Sequence, residues 1–169
     1  PQYNYDSTIS DYQWLLATLR QKIQLFLDSQ DADTGIFRDA RRAVDNSNDV
    51  TGAGMMALII AHQIGMLSGE EFYERAIRPL NFYGGDPDNP KAFSAQKALD
   101  IFYHYYSGNS DIRAGACEST TVMLNRSGMG ALEKYARILA KSSPNDPRWS
   151  EIENKAHIVG NAMDYAMYM

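Results

Sequence analysis

Charged side chains that could do chemistry are concentrated in residues 31–49, DADTGIFRDARRAVDNSND. This stretch contains three arginines and five aspartates: Asp31, Asp33, Asp39, Asp45 and Asp49. Two carboxylates on either side of a glycosidic bond are the usual minimum for glycan hydrolysis, one acting as acid and the other as base or nucleophile. Four of these aspartates are therefore candidate catalytic residues of a small glycan-acting hydrolase: Asp33, Asp39, Asp45 and Asp49.

The same stretch has a simpler interpretation, a polar connection between two helices. Its arginines lie beside aspartates, so the two types of side chain can pair with each other and cap helix ends. Arg38, Arg41 and Arg42 would also lower the pKa of nearby carboxyl groups, whereas a general acid needs a raised pKa. We favour the structural role and keep the hydrolase as the alternative.

Metal and cofactor sites lack their sequence signatures. The histidines do not have the Glu-x-x-His spacing of di-iron bundles, and Cys117 is the only cysteine available to a structural zinc site. A calcium-binding loop starting at Asp31 would need glycine where Ile36 stands. No glycine-rich phosphate loop or nucleophilic serine motif is present. We expect no metal and no cofactor. His62, in an apolar stretch, is typical of a core histidine with one hydrogen-bond partner.

Charge and hydropathy narrow the class of partner. The formal net charge is −5 and the basic residues are scattered, so we expect no nucleic-acid partner. The longest apolar stretch, residues 53–64, is interrupted by His62 and Gln63 and is too short for a transmembrane segment. One cysteine permits no intramolecular disulfide. We expect a soluble, acidic protein and favour the cytoplasm, although the sequence leaves the compartment open.

The hydrophobic spacing is helical almost throughout. Residues 8–29 have an apolar stripe at intervals of three and four, which predicts an amphipathic helix: Tyr12, Leu15, Leu16, Leu19, Ile23, Phe26 and Leu27. Residues 49–67 are apolar on nearly every side and predict a central, buried helix. The spacing of Ser68 and Glu71 matches a capping box and predicts the start of the next helix. Asp146 and Pro147 predict the start of the last one.

Further helices are expected after the breaker YGGDPDNP at residues 83–90. One lies within residues 90–106, one spans 111–124, and another follows the break that Arg126, Ser127 and Gly128 predict. If residues 37–45 also form a short helix, the number of helices rises from seven to eight. No strand-like alternation of any length is present. The sequence thus predicts an all-α, single-domain bundle of about seven or eight helices over residues 1–169.

Residues 31–80 carry a family resemblance. They combine an Asp-x-Asp-Thr-Gly turn, the apolar segment TGAGMMALIIAHQIG and the helix SGEEFYERA. In this order they resemble one segment of the α/α-toroid carbohydrate-active enzymes. The resemblance covers under a third of the chain and implies a helical fold that binds glycans. A complete toroid needs more helices than the sequence predicts, and we transfer no catalytic residue from the family.

The absence of a recognised catalytic set favours an interaction module over an enzyme. Such a module would be an adaptor, a structural subunit or an inhibitor-type partner that binds another protein or a second copy of itself. The segment MDYAMYM, residues 163–169, places Met and Tyr on more than one side of the last predicted helix. Exposed, it would be an apolar contact surface. The candidate partner-binding residues are Met163, Tyr165, Met167 and Tyr168.

Overall fold

A computed structural model describes residues 10–39, 46–84, 97–98, 101–102, 105–106 and 119–162. Within these ranges the fold is all-α, as the sequence predicts. The five helices are α1 Asp11–Ser29, α2 Asn48–Gln63, α3 Gly69–Gly84, α4 Ser119–Ser142 and α5 Pro147–Asn161. Two-residue strands form two antiparallel pairs: β1 Asn46–Ser47 with β4 Tyr105–Tyr106, and β2 Lys97–Ala98 with β3 Ile101–Phe102.

Three helices, α1, α3 and α5, have side-chain caps at their starts. At α1, the Ser10 hydroxyl accepts the backbone N–H of Gln13, and the Gln13 side chain accepts that of Ser10. The predicted capping box of α3 is confirmed, because Ser68 and Glu71 exchange the same pair of bonds. Asp146 caps α5 and the following proline occupies the first helical turn. Side-chain acceptors thereby satisfy N–H groups that have no partner inside the helix.

The number of helices differs from the prediction of seven or eight, since the described residues form five. The break predicted at residues 126–128 does not occur, and one 24-residue helix, α4, runs through it. Gly128 is tolerated inside α4 because it packs directly on the backbone of Gly52 in α2, where a side chain would not fit. Gly128 therefore marks a close crossing of α2 and α4 and not the end of a helix.

Two other predicted helical segments are extended where the structure describes them. Phe37 forms an antiparallel bridge with Gln30 and accepts the backbone N–H of Ser47, so the proposed short helix does not begin at residue 37. Part of the helix predicted within residues 90–106 is replaced by the strands β2, β3 and β4. Pairing of β4 with β1, and of β2 with β3, supplies these backbone groups with partners outside a helix.

The helices pack side by side around one hydrophobic core. α2 lies against α4, α5 lies against both α3 and α4, and α1 lies along α2. The largest fully buried side chains of the core come from the loop after α1 and from α2 to α5: Ile36, Phe37, Met55, Leu58, Phe72, Leu80, Met129, Leu132 and Ile152. None of the helices in the described ranges is long and apolar enough to cross a membrane.

The predicted stripe of α1 is buried only in its C-terminal half. Ile23 and Leu27 belong to the core, whereas Tyr12 and Leu15 are 73% and 59% exposed. Only the second half of α1 is therefore held by apolar packing. It is also the half that leads into the polar loop of residues 30–39.

Candidate functional site

The loop after α1 is organised by the carboxylate of Asp31. One oxygen accepts the backbone N–H groups of Asp33 and Thr34 at 3.0 and 2.9 Å, and also the Thr34 hydroxyl at 3.0 Å. The other oxygen accepts the Arg38 guanidinium at 2.9 Å. The predicted pairing of Arg and Asp side chains is confirmed for this pair.

Asp31 is held in its ionised form by these contacts. Burial acts to raise its pKa, but the hydrogen bonds from Thr34 and Arg38 outweigh burial, and the pKa lies below its usual value. A carboxylate with both oxygens engaged in this way stabilises the loop. It is poorly suited to exchange protons with a substrate.

The loop is anchored on α3 at a proline. Pro79 has no N–H and leaves the carbonyl of Arg75 without its helical partner. The Gln30 side chain donates to that carbonyl and to the carbonyl of Gly35, both at 2.9 Å. Gly35 has a positive φ of 74° and lies so close to Pro79 that a Cβ would be 2.5 Å from the ring. The proline and the glycine together fix where the loop meets the helix.

The end of the loop is joined to the first turn of α2. The Phe37 N–H donates to the Thr51 hydroxyl at 3.0 Å, and the Ser47 N–H donates to the Phe37 carbonyl at 2.8 Å. Asp49 accepts both the Ser47 hydroxyl and the backbone N–H of Val50. These bonds attach the polar loop to the N-terminal end of α2.

A cleft of about 380 Å³ lies between this loop, α1 and α2. Its size falls within the usual range of small-ligand sites, about 300–1,000 Å³. Most of its wall is apolar, and its charged side chains come from the loop. The described residues that line it are Leu25, Phe26, Ser29, Arg38, Asp39, Val50 and Ala53.

The predicted catalytic aspartates occupy different positions. Asp39 is exposed and lines the cleft. Asp33 is exposed on the turn that Asp31 organises, and Asp49 lies in the first turn of α2. Asp45 lies outside the described residues. The structure therefore brings Asp39 to a cavity and gives Asp49 local partners within its own turn.

The predicted partner-binding residues, Met163, Tyr165, Met167 and Tyr168, lie outside the described part of the chain. Their role in binding a protein or a second copy stays a prediction. Among the described residues, no group of three or more His, Cys, Asp or Glu side chains is placed to hold a metal ion.

A buried polar cluster that the sequence did not reveal lies beside the first turn of α2. Tyr83 donates its hydroxyl to the Asn48 side-chain oxygen at 2.7 Å. The Asn125 amide donates to the backbone oxygen of Asn48, to its side-chain oxygen and to the Tyr83 hydroxyl. Burial raises the pKa of Tyr83 far above its usual value. The sequence signal was an asparagine at position 125, on the face of α4 that also carries Gly128.

The opposite end of α2 is aromatic. The His62 ring stacks on Phe72 with centroids 4.9 Å apart, and its Nδ1 lies 2.9 Å from the Tyr135 hydroxyl. Trp149 closes the cluster on a further side. Burial lowers the pKa of His62. The predicted hydrogen-bond partner of His62 is present, but the ring is half-buried beside the core and does not lie inside it.

Neither a protein-family model nor a curated protein sequence matches this chain, but solved structures match its fold. A glucoamylase-like protein of Bacteroides fragilis aligns with 99% of the chain at a TM-score of 0.75 and 15% identity. A β-1,2-glucanase of Parabacteroides distasonis aligns with 95% at 0.75 and 16%. An endo-β-1,2-glucanase of Chitinophaga pinensis, solved with sophorotriose and glucose, aligns with 95% at 0.72 and 15%.

In the other direction, this chain spans 39%, 22% and 38% of the length of those three structures. At this identity the likeness establishes a shared fold. The shared fold extends over almost all of the chain.

Proposed function

We propose that this chain forms a glucan-binding part of an α-helical glycoside hydrolase, with the cleft beside Asp39 as its sugar site. The observation that carries the proposal is the fold. Nearly the whole chain aligns with glucoamylase-like and β-1,2-glucanase structures at TM-scores of 0.72–0.75. A fold can host several functions, so the assignment depends on what the cleft offers a ligand.

The cleft combines the two features that a sugar ring requires. Leu25, Phe26 and Val50 give an apolar wall on which the C–H face of a pyranose can lie. Asp39 contributes carboxylate oxygens, which accept hydrogen bonds from sugar hydroxyls. Arg38 is held by Asp31 at the edge of the same cleft, and it adds a fixed positive charge.

Of the four predicted carboxylates, Asp39 is the one we propose to contact the glucan. Asp49 accepts hydrogen bonds from the turn in which it lies, and we propose that it mainly stabilises the start of α2. Asp33 lies on the turn outside the cleft lining. Hydrolysis needs two carboxylates, so Asp39 would work with a second acidic group.

The test is a binding and hydrolysis panel on the purified chain. α-Linked and β-linked glucan oligosaccharides, including sophorotriose, are titrated by calorimetry, and new reducing ends are counted after incubation. We expect one class of glucan to bind and Asp39→Asn to weaken that binding at least tenfold. Asp33→Asn, a matched change on the same loop, should bind like the parent chain.

Two results would contradict the proposal. The first is the absence of binding and hydrolysis with every glucan in the panel, while circular dichroism shows a folded helical protein. The second is equal loss of binding in the Asp39 and Asp33 variants, because that would indicate a general effect of loop charge and not contact within the cleft.

A further inference from the structure

The polar cluster of Asn48, Tyr83 and Asn125 contains two amide atoms without a hydrogen-bond partner. All three side chains are buried, and both asparagines are completely inaccessible. The unpaired atoms are the side-chain nitrogen of Asn48 and the side-chain oxygen of Asn125. A buried amide atom without a hydrogen-bond partner is destabilising, so two such atoms at one junction call for an explanation.

Rotating the amides does not remove the problem. The Asn125 nitrogen donates to the backbone oxygen of Asn48 at 3.1 Å, and exchanging its amide atoms would bring two acceptors together. With Asn125 fixed, the Asn48 oxygen must face the Asn125 nitrogen and the Tyr83 hydroxyl, both of which are donors. The neighbouring groups thus set the orientation of each side-chain amide. The Asn48 nitrogen, a donor, and the Asn125 oxygen, an acceptor, remain unpaired.

We propose that this junction holds one buried water molecule, which accepts a hydrogen bond from the Asn48 nitrogen and donates one to the Asn125 oxygen. A direct hydrogen bond already joins the two carboxamides, and each unpaired atom belongs to one of these same two amide groups. One water bonded to both atoms would leave no amide atom of the pair without a partner. Water suits the site because it is neutral, donates and accepts, and is commonly found bridging buried polar groups.

The water would bridge α2 and α4 at the point where the end of α3 also meets them. Asn48 lies in the first turn of α2, Tyr83 at the end of α3 and Asn125 in α4. This junction adjoins the turn that carries Asp49 and the loop leading to Asp39. The proposal rests on hydrogen bonding alone and does not depend on glucan binding.

The direct test is a high-resolution crystal structure of the unmodified chain. We expect electron density for one water within about 2.7–3.2 Å of both the Asn48 nitrogen and the Asn125 oxygen. Density showing the two amides paired directly, or another side chain meeting both atoms, with no water between them, would overturn the proposal.

Water-oxygen relaxation dispersion gives a second test in solution, because it counts water molecules with long residence times. Asn125→Leu keeps the side-chain size but removes the acceptor, and we expect it to hold one long-lived water fewer than the parent chain. Ser127→Ala, an exposed change on the same helix, should leave the count unchanged. An unchanged count in a folded Asn125→Leu variant would contradict the assignment, and if that variant does not fold, the crystallographic test still decides.

Discussion

The two ends of α2 are built from different kinds of contact. At the N-terminal end, Asn48 and Thr51 make hydrogen bonds, and the backbone of Gly52 touches that of α4. At the C-terminal end, His62 and Phe72 belong to a stacked cluster of large rings. The same helix therefore has a polar, closely approached end and an aromatic, side-chain-packed end.

This contrast indicates where ligand chemistry can take place. The aromatic end is closed by its own rings, with Phe72 fully buried and Trp149 6% exposed. The polar end adjoins the cleft and the loop with Asp39. We infer that the aromatic end serves mainly stability, whereas the polar end combines stability with the candidate site.

The largest expected effect comes from the helix crossing at the polar end. A Cβ added to Gly128 would lie 2.2 Å from the Gly52 carbonyl oxygen, so Gly128→Ala forces α2 and α4 apart. We expect a loss of about 3 kcal/mol in the free energy of unfolding, measured by urea denaturation.

Gly130→Ala is the matched control for this crossing. Gly130 lies two positions after Gly128 in the same helix, and a Cβ there would meet no other atom within 4 Å. We expect it to stabilise the protein by up to about 1 kcal/mol through helix propensity. Equal behaviour of the two alanine variants would show that the close crossing is not formed.

A smaller effect is expected at the aromatic end. Tyr135→Phe keeps the ring but removes the hydroxyl that meets Nδ1 of His62 at 2.9 Å. We expect a loss of about 1 kcal/mol in unfolding free energy with no change in glucan affinity, because the cleft lies at the other end. Calorimetric titration with the bound glucan checks the second part, and weakened binding would show that the two ends are not independent.

The lowered pKa of His62, at the aromatic end, predicts that stability depends on pH. Burial lowers the pKa of His62 in the folded state from its usual value of 6.5. As the pH falls through about 6.5, the unfolded chain binds a proton before the folded chain does, so the free energy of unfolding decreases. At higher pH this contribution is fully present.

Thermal unfolding between about pH 7.5 and pH 5.5 measures this effect, with His62→Asn as the comparison. The variant should show a flatter profile over the same interval. A profile as steep as that of the parent chain would assign the pH dependence to other groups.

The smallest effect on stability is expected at Asp39. It is exposed, so Asp39→Asn should change the unfolding free energy by no more than about 0.5 kcal/mol. Urea denaturation of this variant beside the parent chain checks the value. A large loss of stability would assign Asp39 a structural role. Weaker glucan binding by the variant could then not be attributed to a lost contact in the cleft.

The sequence was most informative where a local pattern decides the structure. The capping box of Ser68 and Glu71 and the cap at Asp146 are formed by neighbours in the chain, and both are confirmed. The ion pair of Asp31 and Arg38 also lies within one short loop. Helical class follows from periodicity, which needs no knowledge of distant contacts.

Features that depend on distant segments were not predicted correctly. Gly128 was interpreted as a helix break because its partner, Gly52, is far away in sequence. Phe37 is extended because Gln30 and Ser47 pair with it from either side. Asn125 meets Asn48, which lies 77 positions away in the sequence. In each case a tertiary contact overrides the local preference of the chain.

The most direct test of a glucan site at the polar end is methyl NMR of the isotope-labelled chain during titration with sophorotriose and with α-linked glucans. We expect the methyl signals of Leu25 and Val50, which line the cleft, to shift in a saturable manner. The signals of Leu67 and Ile152, in the core away from the cleft, should stay in place. Shifts confined to the second pair, or no shift with any glucan, would contradict a sugar site beside Asp39.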